Sequence, residues 1–298
     1  MTAPRRWQRA GLDWPHREQS RFVEAGDIQW HVQEMGDGPT LLLLHGTGSA
    51  THTWAGLMPL LAADFRVVAP DLPGHGFTDL APPDRASLPG VAGLITALLD
   101  ALRADPALVV GHSAGAAILA RLCLDGAMSP ASLVSLNGAF MPFGRAAAPV
   151  FSGAARVLAS SSVVPYMVAI QALRRRSVER LIGQTGSRLD RGQVDHYRRL
   201  VLEPRHVAGT LRMMANWDLV PLWRDLPRLA TPLVLVTCGN DLAVPPGQAH
   251  TVAERVRGAR LEELPDLGHL GHEEDPGRFA AIIRRVAQGA ALLPPRGI

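Results

Sequence analysis

The sequence predicts an α/β fold: an open, mostly parallel sheet with helices on both faces and a helical lid inserted before a late strand. Three observations carry this expectation. Short, nearly continuous apolar runs recur along the chain, among them "TLLLLHG" (40–46), "ALVVGHS" (107–113) and "PLVLVTCGN" (232–240); such runs suit parallel strands buried on both faces. Helical patterns alternate with them, as in repeated strand–helix units. The alternation stops after Phe140 and resumes at Pro232, leaving a stretch with only helical character.

The elements follow in order. "SRFVEAGDIQWHVQEMG" alternates like an antiparallel hairpin that edges the sheet. The run 40–46 is the first core strand, "TWAGLMPLLA" a helix, and "FRVVAPD" (65–71) the next strand. "LPGVAGLITALLDAL" is a helix, 107–113 a strand, "AGAAILARLCLDG" a helix, and "SLVSLNG" (132–138) a strand. "MVAIQALRRRSVERLIG" and "HVAGTLRMMANWDL" supply lid helices, and "ARLEELP" is a strand after 232–240. The expected organisation is a core of 1–140 and 224–298 with a lid at 141–223, where an insertion can cover the sheet's carboxyl edge.

Composition narrows the function classes. Hydrophobic residues are 47% of the 298 and aromatics 5%, so the core rests on Ala, Leu and Val. A net charge of +3 gives no footprint for nucleic acid. The basic run "LRRRSVERL" (173–181) reads as the solvated face of an amphipathic helix. Cys123 and Cys238 lie in apolar segments outside any CxxC pattern, as reduced core thiols do. No signal peptide or transmembrane run is expected, which points to a cytoplasmic protein. The 11 histidines lack ligand spacing, so no metal and no cofactor are expected.

Gly111-His112-Ser113-Ala114-Gly115 fits G-x-S-x-G, between an apolar strand and a small-residue helix. That context is where a nucleophile can be pushed out of the sheet on a sharp turn. A serine needs a base to take its proton, and the base needs an orienting acid. Asp241 follows the strand 232–240, and His269 follows the strand "ARLEELP"; Ser, then acid, then His is the chain order of this arrangement. His272, the other histidine in "GHLGHEEDP", reads as a hydrogen-bonding or helix-start residue. Asp266 and the pair Glu273-Glu274 read as solvated loop and first-turn residues, and His112 as structural. Asn137 stands where an alternative acid would, which favours Asp241. The "HGTG" loop (45–48) can aim the Thr47 N–H at an oxyanion, with the Ala114 N–H as second donor. Asp71 and His75 in "PDLPGHGFT" read as hydrogen-bonding residues of a Pro/Gly turn. In the lid, Met213, Met214 and Trp217, with Phe140 and Phe143 at its start, suit a large flat apolar ligand; packing of the lid onto the sheet explains each one equally well.

"HGTG", "DLPGHGFT", "GHSAG", "GNDLAVP" and "GHLGHEEDP", in this order, resemble the α/β-hydrolase superfamily over nearly the whole chain. The segments "DWPHREQSRFVEAGDIQWHV", "TGSRLD" and "HVAGTLRMMANWDL" resemble a narrower group, the magnesium-chelatase accessory proteins of bacteriochlorophyll biosynthesis. That resemblance implies a place in photosynthetic tetrapyrrole synthesis, a tetrapyrrole as substrate, chelatase subunits as partners, and a peripheral position on the photosynthetic membrane. Three functions stay open: a serine hydrolase of an ester or related acyl bond, a non-catalytic porphyrin binder aiding the chelatase, and a carbon–carbon hydrolase or cofactor-free perhydrolase.

Overall fold

The computed structural model describes residues 5–142 and 175–294. Among the described residues eight strands form one sheet: β1 (Ser20–Ala25), β2 (Ile28–Met35), β3 (Thr40–Leu44), β4 (Arg66–Pro70), β5 (Leu108–His112), β6 (Ser132–Leu136), β7 (Leu233–Cys238) and β8 (Arg260–Leu264). Their spatial order is β1-β2-β4-β3-β5-β6-β7-β8. The hairpin β1–β2 is antiparallel and joins β4 antiparallel; every later pairing is parallel. The expected architecture is therefore present, with the hairpin at the sheet's edge.

The apolar runs are buried on both faces because helices cover both. Leu42 and Leu44 of β3 join one core, with α3 (Leu88–Leu102) and α4 (Ala114–Leu124). Leu41 and Leu43 point into the other, with α2 (Met58–Leu61) and α11 (Pro276–Gly289). Each such leucine is worth about 1.5–3 kcal/mol relative to exposure, which holds the strand ends in a fixed plane. Local signals set the helix limits. Ser87 accepts the Gly90 N–H to start α3, and Arg103 closes it in the left-handed region. Asp275 caps α11 through the Arg278 N–H. The expected helix 53–62 is instead a 3-10 turn, Thr51–Trp54, followed by the single turn of α2. Pro59 is the second residue of that turn, where its missing N–H costs no internal bond.

Between β6 and β7 the described residues carry only helices: α5 (Arg175–Gly183), α6 (Arg191–Leu202), α7 (Pro204–Ala215) and α8 (Val220–Asp225). Two short elements frame the rest of the chain, α1 (Arg5–Ala10) before β1 and α9 (Gly247–Arg255) between β7 and β8, and α10 (Gly271–Glu274) precedes α11. In α5, Val178 and Ile182 are buried while Arg176, Glu179 and Arg180 are exposed, the solvated-face pattern expected of that basic run. Among the described residues no helix is long and apolar enough to cross a membrane. Cys238 is buried and Cys123 half-buried, and both are free thiols.

Candidate active site

Ser113 joins β5 to α4 with φ 52° and ψ −116°. A non-glycine residue in so sparsely populated a backbone region costs about 1–3 kcal/mol, and here the turn is enforced by packing. A Cβ on Gly115 would lie 2.1 Å from the Leu44 carbonyl oxygen, and one on Gly111 would lie 2.4 Å from the Ala116 nitrogen. Only glycine lets α4 start this close to β3 and β5. The Ser113 N–H is tied to the Leu136 carbonyl (3.0 Å) and its carbonyl accepts from Ala139 (3.1 Å), so the backbone is fixed while the side chain faces a cavity.

Asp241 follows β7 and is buried. Its Oδ1 accepts the N–H groups of Ala243 and Val244, both at 2.8 Å, and its Oδ2 accepts from His269 Nδ1 at 2.8 Å. Because a carboxylate only accepts, this bond puts the imidazole proton on Nδ1 and leaves Nε2 free to take one. His269 and Ser113 line the same cavity of about 600 Å³, as do Thr47 and Ala114. Ala114 is the first residue of α4, so its N–H belongs to the helix end without an internal partner. Gly46 packs near enough to Ser113 that a Cβ there would be 3.0 Å from the serine Cβ, which brings the "HGTG" loop beside the elbow. His45 anchors that loop: its Nε2 accepts the Leu72 N–H (2.9 Å) and its Nδ1–H donates to the Gly46 carbonyl (2.8 Å).

Asn137, at φ 47° after β6, binds both flanking loops. Its amide donates to the Gly268 and His269 carbonyls (3.2 and 2.9 Å) and its oxygen accepts the Cys238 N–H (2.9 Å). The residue at the alternative acid position is thus the brace between the ends of β7 and β8. His112 Nε2–H donates to the His269 carbonyl at 2.9 Å, and burial holds its imidazole well below its usual pKa.

The lid contributes a second brace that the sequence reading missed. The turn Thr185-Gly186-Ser187 lies on both loops: the Thr185 carbonyl accepts from Leu242 and His269 N–H, and Ser187 Oγ accepts the Leu270 N–H (2.8 Å). A Cβ on Gly186 would come 1.8 Å from the Asn240 carbonyl oxygen. The motif "TGSRLD" was visible, but its contact surface is made only by folding.

The remaining expected residues divide. Met214 and Trp217 line the cavity. Met213 and Phe140 sit in the hydrophobic core, with Met213 Sδ 3.8 Å from the Thr47 hydroxyl, and Phe143 falls outside the described residues. Asp71 reaches beyond its turn, accepting from His31, Thr51 and Phe77, while His75 stays within it, on the Pro73 carbonyl. Asp266 is exposed and pairs with Arg278. His272 opens α10 and meets the Thr53 hydroxyl at 2.7 Å. One expectation is corrected: Glu273 is buried, not solvated. The loop folds back under lid helix α6, where Tyr197 covers its carboxyl. Glu274 is also engaged, accepting the Gly268 N–H at 2.9 Å.

Among the described residues the cavity wall contains no Asp, Glu, Lys or Arg. His206, in that wall, accepts the Gly76 N–H at Nδ1 (3.1 Å) and donates from Nε2 to the Gly48 carbonyl (3.2 Å). Burial, with His45 nearby, pushes it down to about 4, so it is neutral at pH 7. The rest of the wall is largely aliphatic, from Val178, Leu181, Ile182, Val201, Val207 and Leu211.

Comparison with known proteins agrees with this architecture. The model of the alpha/beta hydrolase family matches residues 41–282. The chain is 39% identical over 265 residues to the magnesium-chelatase 30 kDa subunit of Rhodobacter capsulatus, covering 88% of this chain and 92% of that one. It is 31% identical over 270 residues to a pimeloyl-[acyl-carrier protein] methyl ester esterase of Aromatoleum aromaticum, covering 84% and 99%. An alpha/beta hydrolase fold protein from Burkholderia ambifaria superposes with a TM-score of 0.74 at 25% identity, over 89% of this chain and 97% of that one. With its sheet order, its strained serine after β5 and a family match over most of its length, the chain belongs to the alpha/beta hydrolase family.

Proposed function

We propose that the protein is a serine hydrolase that cleaves an ester or related acyl bond in an uncharged, apolar substrate. The observation that carries this reading is the buried Asp241–His269 pair, whose imidazole opens onto the same cavity as the strained Ser113. Ser113 Oγ attacks the acyl carbon while His269 Nε2 takes its proton; Asp241 steadies the imidazolium through Nδ1–H. The Thr47 and Ala114 N–H groups receive the oxyanion, where each donor is worth about 2.7–4 kcal/mol of barrier. The imidazolium then protonates the departing alcohol, and water activated by the same imidazole hydrolyses the acyl-serine. Among the described residues the wall carries no Asp, Glu, Lys or Arg, which supports a neutral substrate, because a buried ion without a partner is costly.

Labelling of the folded protein with a fluorophosphonate tests the chemistry. An adduct on Ser113, absent in Ser113→Ala, is expected; an unlabelled native protein defeats the reading. We take the substrate to be a tetrapyrrole ester of bacteriochlorophyll synthesis, a reading supported by the likeness to the magnesium-chelatase 30 kDa subunit of Rhodobacter capsulatus. The same likeness favours a second reading, a non-catalytic porphyrin binder. In a strain lacking the protein, full pigment synthesis restored by Ser113→Ala selects the binder, and failure with folded, abundant Ser113→Ala selects hydrolysis.

A further inference from the structure

Glu273 is a buried acid at the junction of three elements, and the hydrolytic scheme gives it no task. Its Oε1 accepts from the Tyr197 hydroxyl of α6 and from the Thr53 hydroxyl, each at 2.5 Å. The Gln193 amide of α6 donates to its backbone carbonyl at 2.8 Å. Tyr197 forms part of the cavity wall and lies 3.3 Å from Ser49 Oγ, just past the "HGTG" loop. One carboxyl therefore joins the lid helix, the loop after β3, and the turn that follows His269.

We propose that Glu273 is a positioning residue, latching lid helix α6 to the base-bearing segment and so fixing the Tyr197 wall of the cavity relative to His269. The latch works while the carboxyl is uncharged. Tyr197 and Asp190 face it from the lid, Glu274 from its own helix, His272 across Thr53, and His52 from behind the Tyr197 ring at 4.6 Å. Burial pushes His272 down to about 3 and His52 well below its usual range, so neither offers a cation at neutral pH. Burial pushes Glu273 itself up to about 8, against the two hydroxyl donors. Above that pH a desolvated charge stands beside the carboxyl groups of Asp190 and Glu274, and it draws water in between lid and loop.

The test uses the full chain with Glu273→Gln, Glu273→Ala and Tyr197→Phe. Hydrogen exchange of peptides from 185–202 is followed at about pH 6.5 and about pH 9, corrected for intrinsic rates. Wild-type lid peptides are expected to exchange about thirtyfold faster at the higher pH, as the ionised fraction of a carboxyl pushed up to about 8 rises from about 3% to about 90%. Glu273→Gln removes that pH response; Glu273→Ala and Tyr197→Phe exchange fast at both values. Where ester turnover is measured, an alkaline fall near pH 8 is expected in the wild type and not in Glu273→Gln, which also recovers activity lost in Glu273→Ala. The turnover arm rests on the hydrolytic reading, whereas the exchange arm does not. Exchange that rises equally in wild type and Glu273→Gln overturns the latch, whatever the protein hydrolyses.

Discussion

Replacing Asp241 by Asn keeps the side chain's shape but reverses what it offers His269. The two backbone N–H groups of Ala243 and Val244, each 2.8 Å from Oδ1, decide which way the new amide points. Turning its NH2 toward them would forfeit both bonds, at about 1 kcal/mol each, and set donor against donor. The amide oxygen therefore stays on the loop and the NH2 faces His269 Nδ1, 2.8 Å away in the wild type. The imidazole must then carry its proton on Nε2, the atom that should accept one from Ser113. A comparable tautomer reversal lowers kcat by about 10⁴ in other triads, or about 5 kcal/mol of barrier. The assay is hydrolysis of a neutral chromogenic ester together with the rate of fluorophosphonate labelling. A melting curve on the same samples checks that the loop still folds. If Asp241→Asn retained more than about a tenth of the activity, the orienting role of Asp241 would be refuted.

Three further outcomes are expected. Asn137→Ala removes the brace between the ends of β7 and β8 and strands buried backbone groups; denaturant unfolding should show a loss of about 3 kcal/mol, with kcat reduced as well. Gly186→Ala meets both φ +82° and the Asn240 carbonyl, so ester turnover should fall at least about tenfold while the sheet core, read by far-UV melting, loses only about 2 kcal/mol. Because Glu273 titrates near 8 folded and near its ordinary 4.5 unfolded, the folded state holds the extra proton between those values. Wild-type stability should thus fall relative to Glu273→Gln as pH rises through that window, by up to about 1.4 kcal/mol per pH unit, and level off above about 8. Parallel stability profiles in urea would count against a buried neutral carboxyl.

Much of this was legible before folding because it depends on local chemistry. The strand ends that carry Ser113, Asp241 and His269 follow from apolar runs bounded by Gly, Asn and Pro, and the elbow from two glycines around one serine. Glu273 reads as solvated because an acid three residues before Pro276, ahead of a helix, is ordinarily a solvated first-turn residue; nothing nearby announces that a lid tyrosine covers it. Met213 and Met214 show the limit of periodicity: adjacent positions on α7 point about 100° apart, and only packing decided that one enters the core and the other the cavity.

The sequence by itself determined the order of strands and helices, the residues at the strand ends, and the serine between glycines, since each is set by residues close along the chain. Only the tertiary structure decided which groups meet. The Asp241–His269 bond, the Asn137 brace, the Gly186 contact and the Glu273 latch all join residues 28 or more apart. Their geometry depends on how a twisted sheet and an inserted lid close on each other. Burial then sets the electrostatics, because a carboxyl or imidazole takes its charge state from the water it loses, and that loss is a property of the assembled fold.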